Sequence, residues 1–253
     1  GRTYAISALS EATAAAVDRG EKPSVPSAIA KYHATETMRE VIKDAMDVHG
    51  GKGIVLGPRN YLGRAWQGAP ISITVEGANI LTRSMMIFGQ GAIRCHPWVL
   101  KEMQAAQHPD ESTRLKEFDR TLFGHIGFAV SNAVRSAVLG LTAARIGSVP
   151  GDAYTRRFYR RLNRYSANLA LVADTSMLTL GGKLKFKESL SARLGDVLSL
   201  LYIASSVLKR YEDRDRPAGE QPLLAWALFD INHRIELALS AALRNFPIRP
   251  VGW

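Results

Sequence analysis

The chain has 253 residues, of which 46% are hydrophobic and 22% are charged, as is typical of soluble globular proteins. A single cysteine excludes an internal disulfide bond, and no apolar run reaches the length of a membrane span. The net charge of +10 indicates contact with an anionic partner, or compensation by acidic segments elsewhere in a longer protein.

The first part of the chain predicts two helices joined by a short loop. Residues 2–19 are rich in alanine and place Ile6 and Leu9 at helical spacing. Gly20 ends this helix, and a loop with two prolines leads to a second helix at about residues 27–48. The opening residues look like the interior of a helix and not like a signal peptide, which predicts that the sequence belongs to a longer protein.

A glycine-rich turn, Gly50-Gly51-Lys52-Gly53, closes the second predicted helix. Gly50 suits the left-handed backbone conformation that often ends a helix. By itself the turn therefore predicts a helix C-cap. It is not a Walker A phosphate-binding loop, because no Gly-Lys-Ser/Thr sequence follows it.

A second stretch brings a carboxylate to the start of a helix. An apolar run over residues 71–75 leads to Glu76 and a glycine, and a helical pattern follows to about residue 107, with a kink or break expected near Arg94 because of Pro97. Two interpretations of the carboxylate stay open on this stretch alone. One is an acid favoured by the helix dipole. The other is a carboxylate in an apolar cleft, where burial would raise its pKa toward that of a general base.

Together, and in this order, the two motifs resemble the C-terminal helical domain of the acyl-CoA dehydrogenases over about the first hundred residues. In that family a helix ends in a Gly-Gly-x-Gly turn, and a shorter helix and a loop then lead to a Glu-Gly-Thr/Ala-Asn segment. The resemblance implies that Glu76 is the catalytic base and that Gly77 contacts the substrate. It also implies FAD as cofactor, with contacts from Gly50, Gly51, Ala78 and Asn79.

The rest of the chain is predicted to be helical and to form a separate domain. A polar loop at residues 108–113 follows the last of these motifs, and no later stretch alternates as a strand would. The sequence thus predicts an all-α protein, with an acyl-CoA dehydrogenase C-terminal helical bundle at residues 1–107 and a second helical domain at residues 108–253. The predicted helices of the second domain are 114–122, 125–146, 153–180, 186–211 and 222–245.

Basic side chains and aromatic residues alternate near the start of the predicted helix 153–180. This surface could bind phosphate groups, nucleic acid or membrane headgroups, or it could be a solvated or acid-paired helix face. Nucleic acid is the least favoured of these, because no recognition motif accompanies the patch. Larger members of the resembled family carry an added C-terminal helical domain and some associate with membranes, which favours a membrane-facing or subunit-facing role. The arginines are Arg156, Arg157, Arg160, Arg161 and Arg164.

The six histidines lie scattered along the chain without the spacing of metal ligands, so no metal site is predicted. The resemblance implies an enzyme of fatty-acid β-oxidation that converts a fatty acyl-CoA to a trans-2-enoyl-CoA. It further implies a homodimer in the cytoplasm or at the inner membrane, with an electron-transferring flavoprotein as partner and a peripheral contact with the membrane. This chain would be the C-terminal part of that enzyme, inactive alone. The alternative is a non-enzymatic helical interaction module with a basic membrane- or partner-binding face.

Overall fold

All regular secondary structure in this computed structural model, which describes residues 1–252, is helical. No β-strand occurs within those residues, so the predicted all-α fold is confirmed. The α-helices are α1 (Arg2–Asp18), α2 (Ser24–His49), α3 (Gly51–Ile54), α4 (Tyr61–Thr74), α5 (Asn79–Leu81), α6 (Gly91–Arg94), α7 (Val99–Ala106), α8 (Glu111–Leu141), α9 (Arg156–Leu180), α10 (Glu188–Asp213), α11 (Gln221–Arg244) and α12 (Arg249–Gly252). A π-helix occupies Thr82–Gln90, and 3₁₀ turns occupy Gly181–Phe186 and Ala218–Glu220.

Most of the predicted helices are present with small differences at their ends. The predicted stops at Gly20, Gly50 and Gly181 are confirmed, and all three glycines have positive φ angles. Such angles cost other residues free energy because the side chain collides with the backbone. Glycine therefore sets these boundaries in the sequence as well as in the structure.

The division predicted near residue 124 is wrong. The predicted helices 114–122 and 125–146 form one continuous helix, α8, which ends early at Leu141. Gly124 lies inside this helix, and the absence of a side chain there leaves room for a neighbouring ring. A Cβ atom at Gly124 would lie 2.4 Å from Cη2 of Trp98. Beyond the helix, Ala143 and Ala144 turn the chain with φ angles of 49° and 56°.

The helix predicted after Glu76 is divided into several pieces. The break expected near Arg94 is confirmed, since α6 ends there and α7 begins at Val99. The π-helical segment Thr82–Gln90 was not predicted. π-Helical hydrogen bonding normally appears as a single turn and is often found at functional sites. A rare helix type therefore follows α5, a short way after the candidate catalytic carboxylate Glu76.

The described chain divides into two compact units, and the first comprises Gly1–Arg83 together with Tyr202–Phe229. In it α2 packs against α1 and α4. The Tyr4 hydroxyl donates a hydrogen bond to Glu220 Oε2 at 2.7 Å, and burial together with this bond raises the pKa of Tyr4. The most deeply buried apolar residues of this unit include Leu9, Ile29, Leu208, Tyr211, Leu224 and Leu228.

The second compact unit comprises Ser84–Leu201 together with Asp230–Trp253. In it α8 packs against α7 and α9. The predicted domain boundary between residues 107 and 108 stays a prediction. It divides the chain at one point, whereas each compact unit contains two separate segments. One core cluster of the second unit contains Phe88, Leu184, Leu190, Leu194, Ala242 and Phe246.

Two helices, α8 and α10, are long and apolar enough to cross a membrane by length and composition alone. The sequence did not predict these two helices as candidate membrane spans, because polar residues interrupt their apolar runs. Of the most apolar part of α10, 67% is buried inside the protein, as expected for a core helix. The corresponding part of α8 is only 11% buried, so α8 exposes an apolar face. Its exposed residues are Leu122, Phe123, Ile126, Val130, Val134, Val138 and Leu141.

Candidate active site

The turn between α4 and α5 carries the carboxylate that the sequence singled out. Helix α4 ends at Thr74 and α5 begins at Asn79. Glu76 has a φ angle of 53° and Gly77 has one of 95°. A left-handed conformation in a residue other than glycine costs about 1–3 kcal/mol and persists only where the surroundings enforce it. The contacts of this turn therefore have to hold Glu76 in place.

A lysine from α2 supplies the main contact with the turn. Lys31 Nζ donates hydrogen bonds to the carbonyl oxygen of Gly77 at 2.7 Å and to Asn79 Oδ1 at 2.6 Å. One ammonium group thus binds both the backbone beside Glu76 and the first residue of α5. The sequence analysis missed Lys31, because it lies far from the turn in the chain and belongs to no motif. The only signal was its position one turn before Thr35 on α2, on the same helix face.

Asn79 joins the turn to α2 through its side chain. It is only 3% exposed, and Nδ2 donates hydrogen bonds to Thr35 Oγ1 at 2.9 Å and to Glu36 Oε1 at 2.8 Å. With Oδ1 bonded to Lys31, both amide hydrogens and the oxygen are engaged within the chain. The structure therefore gives this side chain an anchoring role. Its predicted contact with the cofactor stays a prediction, as does that of the half-buried Ala78.

The Glu76 side chain is exposed to solvent, and so are its apolar neighbours. Val75 is 47% exposed and Ile80 is 77% exposed. The described chain therefore places the carboxylate on an apolar surface, whereas one of the two interpretations of the sequence placed it in an apolar cleft. Exposed apolar side chains in this density are typical of a surface that another group covers.

The Gly50–Gly53 turn offers bare backbone to its surroundings. A Cβ atom at Gly50 or Gly51 would meet nothing within 4 Å, whereas one at Gly53 would lie 3.2 Å from the carbonyl oxygen of Met46. Gly53 is thus required for packing α3 against α2, and Gly50 for its φ angle of 57°. Neither reason applies to Gly51. Its lack of a side chain leaves room for close approach by a group from outside this chain.

A cleft of about 530 Å³ begins beside this turn. Lys52 and Arg59 bring positive charge to it, and His49 and Tyr61 form part of its wall. His49 Nδ1 lies 2.8 Å from the carbonyl oxygen of Ala45, a contact within the last turn of α2 that gives this histidine a structural role. The charge and the open glycine backbone suit an anionic ligand such as a pyrophosphate.

A second group of titratable side chains lies in the second compact unit. Single atoms of His96, His125 and Asp174 lie within 4.8 Å of one another, and His125 Nδ1 lies 2.8 Å from Glu102 Oε1. The sequence gave no sign of this cluster, because its members are far apart in the chain.

The hydrogen bonds of His96 indicate how this cluster is built. Its Nδ1 accepts hydrogen bonds from the backbone amides of Trp98 and Val99, both at 3.2 Å. Its Nε2 lies 3.0 Å from Asp174 Oδ1, and neither atom has a hydrogen-bond partner among the described residues. This arrangement favours a buried imidazole–carboxylate contact that joins α9 to the start of α7.

The basic face of α9 is only partly exposed. Arg156, Arg157 and Arg161 are exposed, whereas Arg160 and Arg164 are half-buried. The Arg157 guanidinium carbon lies 4.7 Å from the centre of the Phe158 ring, in the range of a cation–π contact. Arg156, Arg160 and Arg164 are four residues apart and share one helix face, so this part of the predicted basic surface points partly into the protein.

Two family models cover almost the whole chain. One, described as acyl-CoA dehydrogenase, C-terminal domain, matches residues 1–88. The other, described as acyl-CoA dehydrogenase, C-terminal, bacterial type, matches residues 93–253. The chain therefore belongs to the acyl-CoA dehydrogenase family, of which it represents C-terminal sequence.

A solved structure shows the same fold. The crystal structure of an acyl-CoA dehydrogenase complexed with FAD from Bacillus anthracis superimposes with a TM-score of 0.63 at 14% sequence identity. The match covers 87% of this chain and 33% of that chain. The present chain thus corresponds to about a third of the length of that protein.

Proposed function

We propose that this chain is the part of a fatty acyl-CoA dehydrogenase that carries its catalytic base, and that the whole enzyme produces trans-2-enoyl-CoA in fatty-acid β-oxidation. The observation that carries the proposal is the Glu76 turn. A carboxylate stands in a strained backbone conformation, held by a lysine and a buried asparagine, on an exposed apolar surface. Strain that the surroundings enforce at such a position is typical of functional sites.

In the proposed mechanism, Glu76 removes a proton from the α-carbon of the acyl thioester. The carboxylate must be ionised and shielded from water at that moment. Lys31 and Asn79 keep the turn rigid, so that the base does not have to be ordered again in each catalytic cycle. Gly77 leaves the backbone beside the base open to the substrate. FAD, when bound, supplies the acceptor for the hydride that leaves the β-carbon.

The residues on the Gly50–Gly51 side fit FAD as the cofactor. The open space where a Cβ of Gly51 would stand allows close approach to the backbone, and Lys52 and Arg59 supply charge that suits a pyrophosphate. Gly50 and Gly51 would therefore contact the cofactor by their backbone, as would Ala78. In the resembled enzymes this turn reaches the cofactor of the dimer mate, which supports a homodimer here.

The remaining parts of the proposal concern the whole enzyme. An electron-transferring flavoprotein would take the electrons onward, and the enzyme would work in the cytoplasm with peripheral contact to the inner membrane. The exposed apolar face of α8 and the exposed arginines of α9 support a contact with a membrane surface.

The test is a single-turnover experiment on the full-length parent protein. A long-chain acyl-CoA should bleach the absorption of bound flavin. Glu76→Gln should slow the bleaching by about 10²–10⁴-fold while leaving flavin binding unchanged, since the amide cannot accept the proton. Glu117→Gln, at an exposed glutamate of α8, is the matched control. Equal bleaching rates in both variants would rule out Glu76 as the base.

A second candidate function is a non-enzymatic interaction module that binds anionic membranes. The exposed Arg156, Arg157 and Arg161 favour it. A triple substitution of these arginines by glutamine should weaken pelleting with vesicles of phosphatidylglycerol if this function is real. A colourless full-length protein whose vesicle binding requires the arginines would favour the module over the enzyme.

A further inference from the structure

A cleft in the second compact unit combines a polar end with an apolar wall. Its volume is about 430 Å³, and it lies among α8, α9 and the end of α11. From Arg164 to Thr175 it follows α9 for about 16 Å, at a rise of 1.5 Å per residue. The apolar wall comes chiefly from Leu171, Val172, Leu239, Leu243 and Phe246.

The polar end of the cleft holds the guanidinium group of Arg164, and one of its N–H groups is unpaired within the described chain. Arg164 Nε is buried and has no hydrogen-bond partner among the described residues. No acidic side chain is among the residues that line the cleft. Glu236, on α11, accepts a hydrogen bond from the Tyr165 hydroxyl. A buried N–H group of a charged side chain without a partner costs free energy, which an anion in the cleft would recover.

Two further groups complete the polar end. Ser136 Oγ donates a hydrogen bond to Asn168 Oδ1 at 2.6 Å, which fixes the amide orientation and leaves the Asn168 N–H₂ group as a donor. Asn168 lies one turn after Arg164 on α9, so both side chains share a helix face. A guanidinium and an amide donor on one face match the oxygens of a carboxylate or a phosphate.

We propose that this cleft binds a single-chain amphiphile with an anionic head. The head, a carboxylate or a phosphate, contacts Arg164 and Asn168, and the alkyl chain lies along α9 against the apolar wall from α11. The site lies wholly in the second compact unit, whereas Glu76 belongs to the first. It does not depend on the function proposed above.

The experiment uses a photoreactive analogue of dodecanoate on the full-length protein, with the labelled peptides identified by mass spectrometry. Labelling is expected on residues 136–140, 168–175 or 239–246. Dodecanoate and dodecyl phosphate, below their micelle concentrations, should compete with it. Dodecanol and dodecyltrimethylammonium should compete at least about tenfold more weakly, because they cannot pair with a guanidinium.

Two variants test the site in different ways: one removes the charge at the polar end, and the other fills the cleft. Arg164→Gln should weaken labelling of these peptides about tenfold by removing the charge. Gly140→Leu should abolish it, because Gly140 lines the cleft and a Cβ there meets nothing within 4 Å, so the new side chain fills the cleft without a clash. Gly127→Leu is the matched control, at a glycine of the same helix that is equally open and lies outside the cleft.

Any of four outcomes would overturn the proposal. Three of them are labelling confined to other peptides, labelling that Gly140→Leu leaves unchanged, and equal competition by the cationic and anionic amphiphiles. Competition by phosphatidylglycerol vesicles without competition by either soluble anion would also overturn it, in favour of a membrane-binding surface.

Discussion

At the scale of single residues, the Glu76 turn depends on one ammonium group. Lys31 binds the carbonyl oxygen of Gly77 and the side chain of Asn79, and Asn79 is bound in turn to Thr35 and Glu36 on α2. The two bonds that Lys31 donates are charge-assisted and short, and such bonds are stronger than neutral ones. They offset the backbone strain at Glu76. The position of the proposed base is thus set by residues that do no chemistry themselves.

Lys31→Met should therefore impair catalysis without removing any reacting group. In the full-length enzyme we expect kcat to fall by about 10–100-fold, because the turn loses its fixed geometry, with a smaller change in KM. Steady-state kinetics with a long-chain acyl-CoA measure both constants. Lys43→Met, at an exposed lysine of the same helix, is the control. An unchanged kcat in Lys31→Met would show that the turn is held by other contacts.

At the scale of elements, α8 depends on a cap at its N-terminus and on a packing contact near its middle. Asp110 caps its N-terminus, accepting hydrogen bonds from the Thr113 amide at 2.8 Å and the Ser112 hydroxyl at 2.7 Å. Further along, Gly124 makes room for the ring of Trp98. The helix therefore runs through a glycine that, on propensity alone, would be expected to weaken it.

Gly124 is packed against a neighbour and Gly127 is not, so substituting each by alanine should change the free energy of unfolding in opposite directions. Gly124→Ala should lower the free energy of unfolding by about 1–3 kcal/mol, since the new Cβ would overlap the Trp98 ring. Gly127→Ala should raise it by up to about 1 kcal/mol, because nothing lies within 4 Å and alanine favours the helix. Urea denaturation measures both. A stabilising Gly124→Ala would contradict the packing of Trp98 on α8.

The cap at Asp110 should make a pH-dependent contribution to stability. Hydrogen bonds from Thr113 and Ser112 lower the pKa of this carboxyl to about 2, from an ordinary value of 3.8. A depressed folded-state pKa stabilises the protein above the unfolded value, and the contribution is lost as the pH falls from about 4 to about 2.

Asp110→Ala should thus be less stable than the parent at pH 7, with the difference shrinking toward pH 2. Thermal unfolding at several pH values measures it. Asp119→Ala, at an exposed acid of the same helix, should show no such trend. A difference that stays constant down to pH 2 would mean that the carboxylate does not act as the cap.

At the scale of the whole molecule, each compact unit needs two separate parts of the chain. The first unit combines Gly1–Arg83 with Tyr202–Phe229, so α10 and α11 contribute to both units. Tyr211, Leu224 and Leu228 are among its most buried residues. The first helices therefore share a compact unit with chain that comes much later in the sequence. Burial in such a unit contributes about 1.5–3 kcal/mol for each large apolar side chain.

A chain cut at the predicted domain boundary should consequently fail to fold. We expect residues 1–107 alone to show no cooperative unfolding transition by circular dichroism, whereas residues 1–253 should show one. The missing segment 202–229 belongs to the same compact unit and includes buried residues such as Leu224 and Leu228, so residues 1–107 would lack part of that core. Cooperative unfolding of 1–107 would instead establish it as an independent domain.

The sequence by itself determined the helical class, the ends of several helices and the order of the two motifs. These features depend on local chemistry: apolar residues at helical spacing, glycines at Gly20, Gly50 and Gly181 that accept positive φ angles, and a proline at residue 97 that breaks a helix. It also pointed to Glu76, because the motif around it is contiguous in the chain.

Only the tertiary structure decided which residues hold that carboxylate and where the cores lie. Lys31 and Asn79 meet across α2 and α5, Trp98 enters the gap at Gly124, and Arg164 lines a cleft with residues from two other helices. Each contact joins residues far apart in the sequence, and no local pattern encodes such a pairing. The packing of helices, governed by the shape and burial of whole faces, brings them together.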